Sequence, residues 1–158
     1  MRHGIQRQRD GSYKIRLGAE ERALLQGLPG QLDDAIDSDD PSLKRLFPPA
    51  YDDGDDERAY RRLTRESLLE GKRAALRALA DTADAERLDE PQLSAWLDAL
   101  ESLRLVVGTQ LHVTEEGYGH LDADDPDAPR IALYHWLSWL QEEVVRELAA
   151  ALPADGRG

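Results

Sequence analysis

Cysteine is absent from the 158-residue sequence, which excludes disulfides, thiolate metal sites and cysteine nucleophiles and favours a cytosolic protein over a secreted one. Long apolar runs are absent too, since no stretch approaches the roughly 20 residues that span a bilayer. Residues 1 to 17 carry scattered charges and no apolar core of a signal peptide. These absences predict a soluble, cytoplasmic protein.

Signatures of catalysis are also lacking. The sequence shows no P-loop, no dinucleotide-binding glycine motif and no recognisable pairing of a nucleophile with a base. We therefore expect a protein that is not an enzyme, with no catalytic residues and no cofactor.

Positive charge is scarce overall but concentrated at the start of the chain. The formal net charge of −12 argues against general affinity for nucleic acid, because a basic patch must overcome repulsion from phosphates. Residues 1 to 16 nevertheless contain five basic side chains against one acidic side chain, a local charge of +4. The basic residues are Arg2, Arg7, Arg9, Lys14 and Arg16. The overall charge disfavours nucleic acid as a partner, while this patch leaves a local contact open.

The strongest pattern that is present is helical and covers residues 88 to 113. Its apolar residues recur at steps of three and four, as one face of a helix requires. They are Leu93, Trp96, Leu97, Leu100, Leu103 and Val107. Asp89 and Gln92 fit a capping box, and Leu88 and Leu93 fit its hydrophobic staple. We expect this helix to be the central scaffold.

Residues 4 to 17 contain two short alternating runs about Asp10 and Gly11, which predict a β-hairpin. A two-stranded hairpin is marginal alone, so this one must lie on helices. It is interpreted either as a hairpin that closes one end of a helical core or as a basic arm that contacts nucleic acid. The first interpretation is favoured.

Residues 19 to 37 and 55 to 82 are also predicted to be helical. Pro29 and Gly30 interrupt the first pattern and predict a kink or break, because proline removes a helix hydrogen bond. The second pattern is compatible with two pieces, with Thr64 capping the second.

Residues 128 to 152 form the closing helical pattern, and residues 153 to 158 are expected to be a flexible tail. Because long periodic segments are joined by short or moderate loops, the predicted fold is a single, mostly α domain over residues 1 to 152. It is a helical bundle of about four to six helices with a short N-terminal β-hairpin.

An acidic Pro/Asp loop is predicted over residues 46 to 57, bracketed by Phe47, Tyr51 and Tyr60. The carboxylates of residues 52 to 57 are oxygen ligands of the kind that hard cations prefer, but the ligand order of an EF-hand is missing. We favour a solvated loop that supplies acids to the start of the next helix.

An arginine stripe follows this loop, where Arg58, Arg61, Arg62 and Arg65 fall at steps i, i+3, i+4 and i+7. Such a stripe can bind phosphates or an acidic partner. It can equally be neutralised by acidic residues of the chain itself, and that interpretation is favoured.

One cluster of histidines and carboxylates occurs in the sequence, formed by His112, Glu115, Glu116 and His120. It lacks the helical spacing of known zinc motifs, so no metal site is predicted. His135 lies among aromatic residues and is expected to be a core or interface histidine.

Trp136 and Trp139 lie on nearby faces of the closing helix. Either this helix is central to the fold, or one tryptophan is left for a partner. A homodimer seam on this helix is one form of the second interpretation.

Four segments of the chain resemble an actinobacterial family of unknown function, domain-of-unknown-function family 2017. These segments are LFPPAY (46 to 51), YRRLTRESLLEGKRAALRAL (60 to 79), WLDALESLRLVVGTQL (96 to 111) and DPDAPRIALYHWLSWLQEEVV (125 to 145). The resemblance implies that the gene often lies beside the gene of the adaptor ClpS. This in turn implies a link to regulated proteolysis or stress response. For members that carry cysteines it also implies a redox-responsive transcriptional role, which this cysteine-free chain cannot share through thiols.

Two functional hypotheses follow. The first is a non-enzymatic regulatory or adaptor module that binds a protein partner. Its candidate partner-binding residues are Phe47, Tyr51, Arg58, Arg61, Arg62, Arg65, Trp136 and Trp139. The second is a transcription-associated regulator that contacts DNA through the basic hairpin and the arginine stripe. The net acidity ranks the second below the first.

Overall fold

The computed structural model describes residues 3 to 37, 55 to 110 and 128 to 152. For residues 36, 37, 55 to 62, 64, 65 and 110 it describes the backbone alone. In chain order the elements are β1 (Gly4–Arg7), β2 (Tyr13–Arg16), α1 (Ala19–Asp37), α2 (Asp55–Asp81), β3 (Arg87–Leu88), α3 (Glu90–Gln110) and α4 (Ala128–Ala151). The predicted mostly helical fold with an N-terminal hairpin is confirmed.

Helix α3 lies at the centre, packed against both α2 and α4. Its side chains Leu93, Trp96 and Leu100 are completely buried. Burial of each of the two leucines contributes roughly 1.5–3 kcal/mol of favourable transfer free energy. Trp96 also satisfies its ring N–H, since its Nε1 donates to Thr82 Oγ1 at 2.7 Å. The apolar face read from the sequence is therefore a core face.

The start of α3 has the predicted capping box. Asp89 Oδ1 accepts a hydrogen bond from the Gln92 backbone N–H at 2.8 Å, and Gln92 Oε1 accepts one from the Asp89 N–H at 2.9 Å. Leu88 and Leu93 are both buried, as a hydrophobic staple requires. These reciprocal bonds satisfy two backbone donors that a helix start otherwise leaves unpaired.

The hairpin pairs β1 with β2 in antiparallel register, with Ile5 opposite Ile15. Its turn contains Gly11 at φ +89°, a left-handed conformation that glycine adopts without a Cβ penalty. The sequence did not reveal the third strand, in which β3 adds to β2 through the pair Tyr13–Leu88. Two residues are too few to display an alternating pattern, so β3 is visible only in its pairing.

Arg22 ties the hairpin to the bundle. Its guanidinium donates to the carbonyl oxygens of Ile15 at 2.9 Å, Ala83 at 2.9 Å and Ala85 at 2.8 Å. A fourth, longer bond reaches Leu17 O at 3.3 Å. One side chain in the first turns of α1 thus joins β2 to the connection between α2 and β3.

The predicted break at Pro29 does not occur, because α1 is continuous from Ala19 to Asp37. Leu25 and Leu32, on either side of the proline, are both buried, so packing on both sides supports a continuous helix despite the missing hydrogen bond, and the alternative of a kink stays a prediction. Helix α2 likewise runs through Thr64 without interruption. His135 is exposed, which excludes the core as its place, and its alternative place at an interface stays a prediction.

Candidate interaction surface

The predicted partner-binding residues are unequally placed relative to the described structure. Phe47 and Tyr51 lie outside the described residues. The four arginines of the stripe lie on the N-terminal half of α2, where the structure describes their backbone alone. Trp136 and Trp139 lie on α4 with their side chains described. The stripe therefore remains a prediction, whereas the structure describes the contacts of both tryptophan side chains.

Helix α2 has apolar side chains with opposite surroundings in its two halves. Ala75, Leu76 and Leu79, in the C-terminal half, are buried in the main core. Leu63 and Leu68, in the N-terminal half, are 66% and 40% exposed. The arginine stripe thus lies on a part of α2 that presents at least two leucines to solvent. Exposed apolar side chains beside positive charge are a common composition for a protein-binding surface.

Trp136 is half-buried and bonded to α1. Its Nε1 donates to Glu21 Oε2 at 2.7 Å. The other carboxylate oxygen of Glu21 accepts bonds from the Gly18 backbone N–H at 2.8 Å and from His3 Nε2 at 2.7 Å. One carboxylate thereby joins three parts of the chain: the residues His3 and Gly4, which we call the N-terminal arm, the start of α1 and the middle of α4.

The electrostatics of Glu21 follow from these contacts. Burial on its own raises the pKa of Glu21, but the hydrogen bonds from Gly18, His3 and Trp136 outweigh it and hold the pKa below its ordinary value. The group is therefore a carboxylate at neutral pH. Its role in the described structure is to fix the start of the chain against the helices.

Trp139 receives the N-terminal arm directly. The His3 ring stacks on it with the centroids 4.9 Å apart and the planes 6° from parallel. Gly4 follows at φ +117°, and a Cβ there would clash with the carboxylate of Glu143 while only touching the Trp139 ring. Glu143 is buried and pairs with Arg146 one turn along α4. The positive φ and the nearby carboxylate together favour glycine at this approach of strand to helix.

Both tryptophans are thus engaged inside the chain, and each keeps part of its ring exposed. His3, Glu21 and Glu143, which complete this cluster, were not identified from the sequence. No local pattern marks them, since Glu21 and Trp136 are 115 residues apart. Whether the exposed part of either ring also meets a partner stays a prediction.

Grooves on the described surface differ in their lining. A groove of about 340 Å³ between α1, α3 and α4 has mostly aliphatic walls, including Leu28 and Leu103. Another of about 250 Å³ beside α4 contains Ser138, but that hydroxyl donates to Tyr134 O at 2.9 Å within the helix. A third, of about 410 Å³, runs along α2. Among their described lining residues, these grooves pair no nucleophile with a base.

The described ranges contain neither a metal-binding cluster nor a membrane-spanning helix. There, no group of three or more His, Asp or Glu side chains is close enough to hold a metal ion. The cluster of His112, Glu115, Glu116 and His120 lies outside those ranges, as does most of the acidic loop. No helix in the described part of the chain is long and apolar enough to cross a membrane.

Comparison with known proteins identifies relatives across most of the chain. The oxidative stress regulator AosR of Mycobacterium bovis is 30% identical over 180 residues, covering 87% of this chain and 83% of that protein. The same figures hold for AosR of Mycobacterium tuberculosis strain H37Rv. No solved structure matches the chain. The family described as Domain of unknown function (DUF2017) matches residues 1 to 148, and the chain belongs to this family.

Proposed function

We propose that this chain is a non-enzymatic, cytoplasmic regulator of an oxidative-stress response that acts by binding a protein partner. The observation that carries the proposal is the similarity, over 87% of the chain, to proteins named oxidative stress regulator. A finer form places the partner in regulated proteolysis, and it rests on the ClpS gene neighbourhood that the family resemblance implies.

The proposed regulation does not use thiol chemistry of the chain itself. The 158 residues contain no cysteine, so peroxide cannot form a sulfenic acid or a disulfide within them. In this proposal the stress signal reaches the chain through its partner or through a change in its abundance. This separates the proposal from any mechanism in which the regulator is its own thiol sensor.

The proposed partner surface is the arginine stripe on α2 together with Leu68. Position 68 follows positions 61 and 65 by seven and three residues, which places all three on one side of the helix backbone. Leu68 is 40% exposed. An exposed leucine in line with arginine positions fits an acidic, amphipathic segment of a partner protein, which supplies both a carboxylate and an apolar contact.

Two matched double charge reversals test this surface. The full chain captures partners from lysates of its native host, grown with and without peroxide, and mass spectrometry quantifies them. R61E/R65E is expected to lose the specific partner by about tenfold or more, as the loss of two charge contacts predicts. R7E/R9E, which changes the net charge equally on the hairpin, is expected to retain it. Equal capture by both variants and the parent chain would contradict the proposed surface.

DNA contact is the second candidate, favoured by the exposed hairpin residues Arg7 and Arg9. In this case both the hairpin and the arginine stripe face phosphates. Binding should then weaken steeply with salt in a gel shift, and R7E/R9E and R61E/R65E should each reduce it. Retained partner capture together with no salt-dependent shift would leave the protein-binding function alone.

A further inference from the structure

The side of α2 that faces away from the core carries a regular pattern of charge. Glu66, Glu70, Arg73 and Arg77 follow each other at steps of four, three and four, so they form one seam along the helix. Leu69 and Ala74 flank the middle of this seam. We call these six residues the charged seam. They are the described lining of the groove of about 410 Å³.

The charged seam is self-complementary: its sequence from the N-terminal end pairs acids with the bases met from the C-terminal end. Its midpoint lies between Gly71 and Lys72. Equal steps outward from that midpoint reach Glu70 and Arg73, then Leu69 and Ala74, and finally Glu66 and Arg77. Each acid thus corresponds to a base, and the leucine corresponds to an alanine. A second α2 laid antiparallel about this midpoint would meet the first with opposite charges at every charged position.

The charges of the seam are accessible. Glu66, Glu70 and Arg77 are exposed, whereas Arg73 is partly covered. The Arg73 Nε also lies 2.8 Å from Asp33 Oδ1 of α1. The buried side chains Ala75, Leu76 and Leu79 point to the other side of the helix, so contact along the seam leaves the core unchanged.

Within a single copy the two ends of the seam are unfavourable, whereas Glu70 and Arg73, three residues apart in its middle, attract each other. Glu66 and Glu70 are four residues apart, and so are Arg73 and Arg77, so each half of the seam places like charges on adjacent turns. Like charges at this spacing destabilise a helix by a few tenths of a kcal/mol per pair. An antiparallel second helix brings the acids of one copy to the bases of the other, which offsets the repulsion at both ends.

We propose that the charged seam binds a second copy of this chain, with the two α2 helices antiparallel about a two-fold axis near Gly71. A two-fold contact uses the same patch on both copies, and the midpoint symmetry of the seam meets that requirement. A uniformly acidic or uniformly basic partner fits less well, because it would meet like charge along half of the seam.

The same composition predicts how strongly the copies associate. Exposed ion pairs are individually weak and are screened by salt. The charged seam contains only Leu69 and Ala74 as apolar contacts. We therefore expect a weak, reversible dimer that dissociates as the salt concentration rises. The contact is separate from the partner surface, since Leu68 lies roughly 200° around the helix axis from Glu66 and Glu70.

The test uses the outermost pair, Glu66 with Arg77, because Arg73 also contacts α1. Sedimentation velocity of the full chain at low and high salt gives the dimer dissociation constant. E66R and R77E are each expected to raise it about tenfold or more, since either substitution creates two like-charge contacts per dimer. Mixing E66R with R77E should restore association to near the parent level, because both opposite-charge contacts then form in the mixed dimer.

The controls separate this contact from other effects. E101R, an equal charge change on an exposed position of α3, should leave the dissociation constant unchanged. Circular dichroism should show all variants folded, as the substituted positions are exposed. A parent chain that stays monomeric at low salt and high concentration would overturn the proposal. A dimer indifferent to E66R and R77E, or a mixture that fails to re-associate, would do so as well.

Discussion

The two halves of α2 obey the same helical geometry but have different surroundings. The C-terminal half buries Ala75, Leu76 and Leu79 against the other helices, while the N-terminal half exposes Leu63 and Leu68. A helix of 27 residues extends about 40 Å, and only part of that length is covered by the described core. The comparison shows that one continuous helix serves as core at one end and as a candidate binding surface at the other.

The largest effect should come from matched leucine truncations in the two halves. Leu79→Ala removes a completely buried side chain and leaves a cavity, so the free energy of unfolding should fall by about 2–5 kcal/mol. Leu63→Ala, at a position 66% exposed, should change it by less than about 0.5 kcal/mol. Urea unfolding of both variants measures the difference. Similar losses in the two variants would show that the comparison between the halves is wrong.

Local sequence signals predicted much of the fold because their contacts are local. The capping box joins Asp89 to Gln92, three residues apart, and the hairpin turn is set by Asp10 and Gly11. The third strand and the Arg22 contacts were not predicted. Arg22 reaches carbonyls 61 and 63 residues away, and no local pattern encodes which distant backbone groups need a donor.

The candidate surface was predictable only in part, for a similar reason. Residue types and helical spacing identified the arginine stripe and the two tryptophans as candidate partner-binding residues. The bond between Trp136 and Glu21 depends on how α1 and α4 pack, which spacing along either helix does not determine. Packing also explains why α1 continues through Pro29, since the buried neighbours on both sides outweigh the local helix-breaking tendency of proline.

Arg22 provides the next test, because it secures the chain just beyond the buried half of α2. Arg22→Met keeps the aliphatic stem but leaves the carbonyls of Ala83 and Ala85 without their donor. We expect a loss of about 2–4 kcal/mol in the free energy of unfolding. Arg87→Met is the matched control, since the Arg87 ion pair with Asp10 is exposed and 3.5 Å long. Urea unfolding should show little change in the control, and equal losses would remove the special role of Arg22.

Trp136→Phe is expected to have a smaller effect, because it removes one hydrogen bond while retaining an aromatic ring. The loss of the bond to Glu21 should cost about 1–2 kcal/mol. A double-mutant cycle with Glu21→Ala, which removes the acceptor, measures the coupling by chemical denaturation. Additive losses would mean that the bond contributes no stability.

The smallest expected effect is a change in pH dependence at Glu21. Its pKa is held below the ordinary value of 4.5, so the folded state binds fewer protons than the unfolded state in mildly acidic solution. The resulting stability is fully present above that value and is lost as the pH falls through the lowered pKa of the folded state. Glu21→Gln should therefore flatten the fall in the free energy of unfolding from about pH 5 to pH 3, measured by urea unfolding at each pH. Glu20→Gln, at the exposed neighbouring position, should keep the slope of the parent chain. If the two variants show the same slope, the hydrogen bonds from Gly18, His3 and Trp136 do not favour the charged carboxylate.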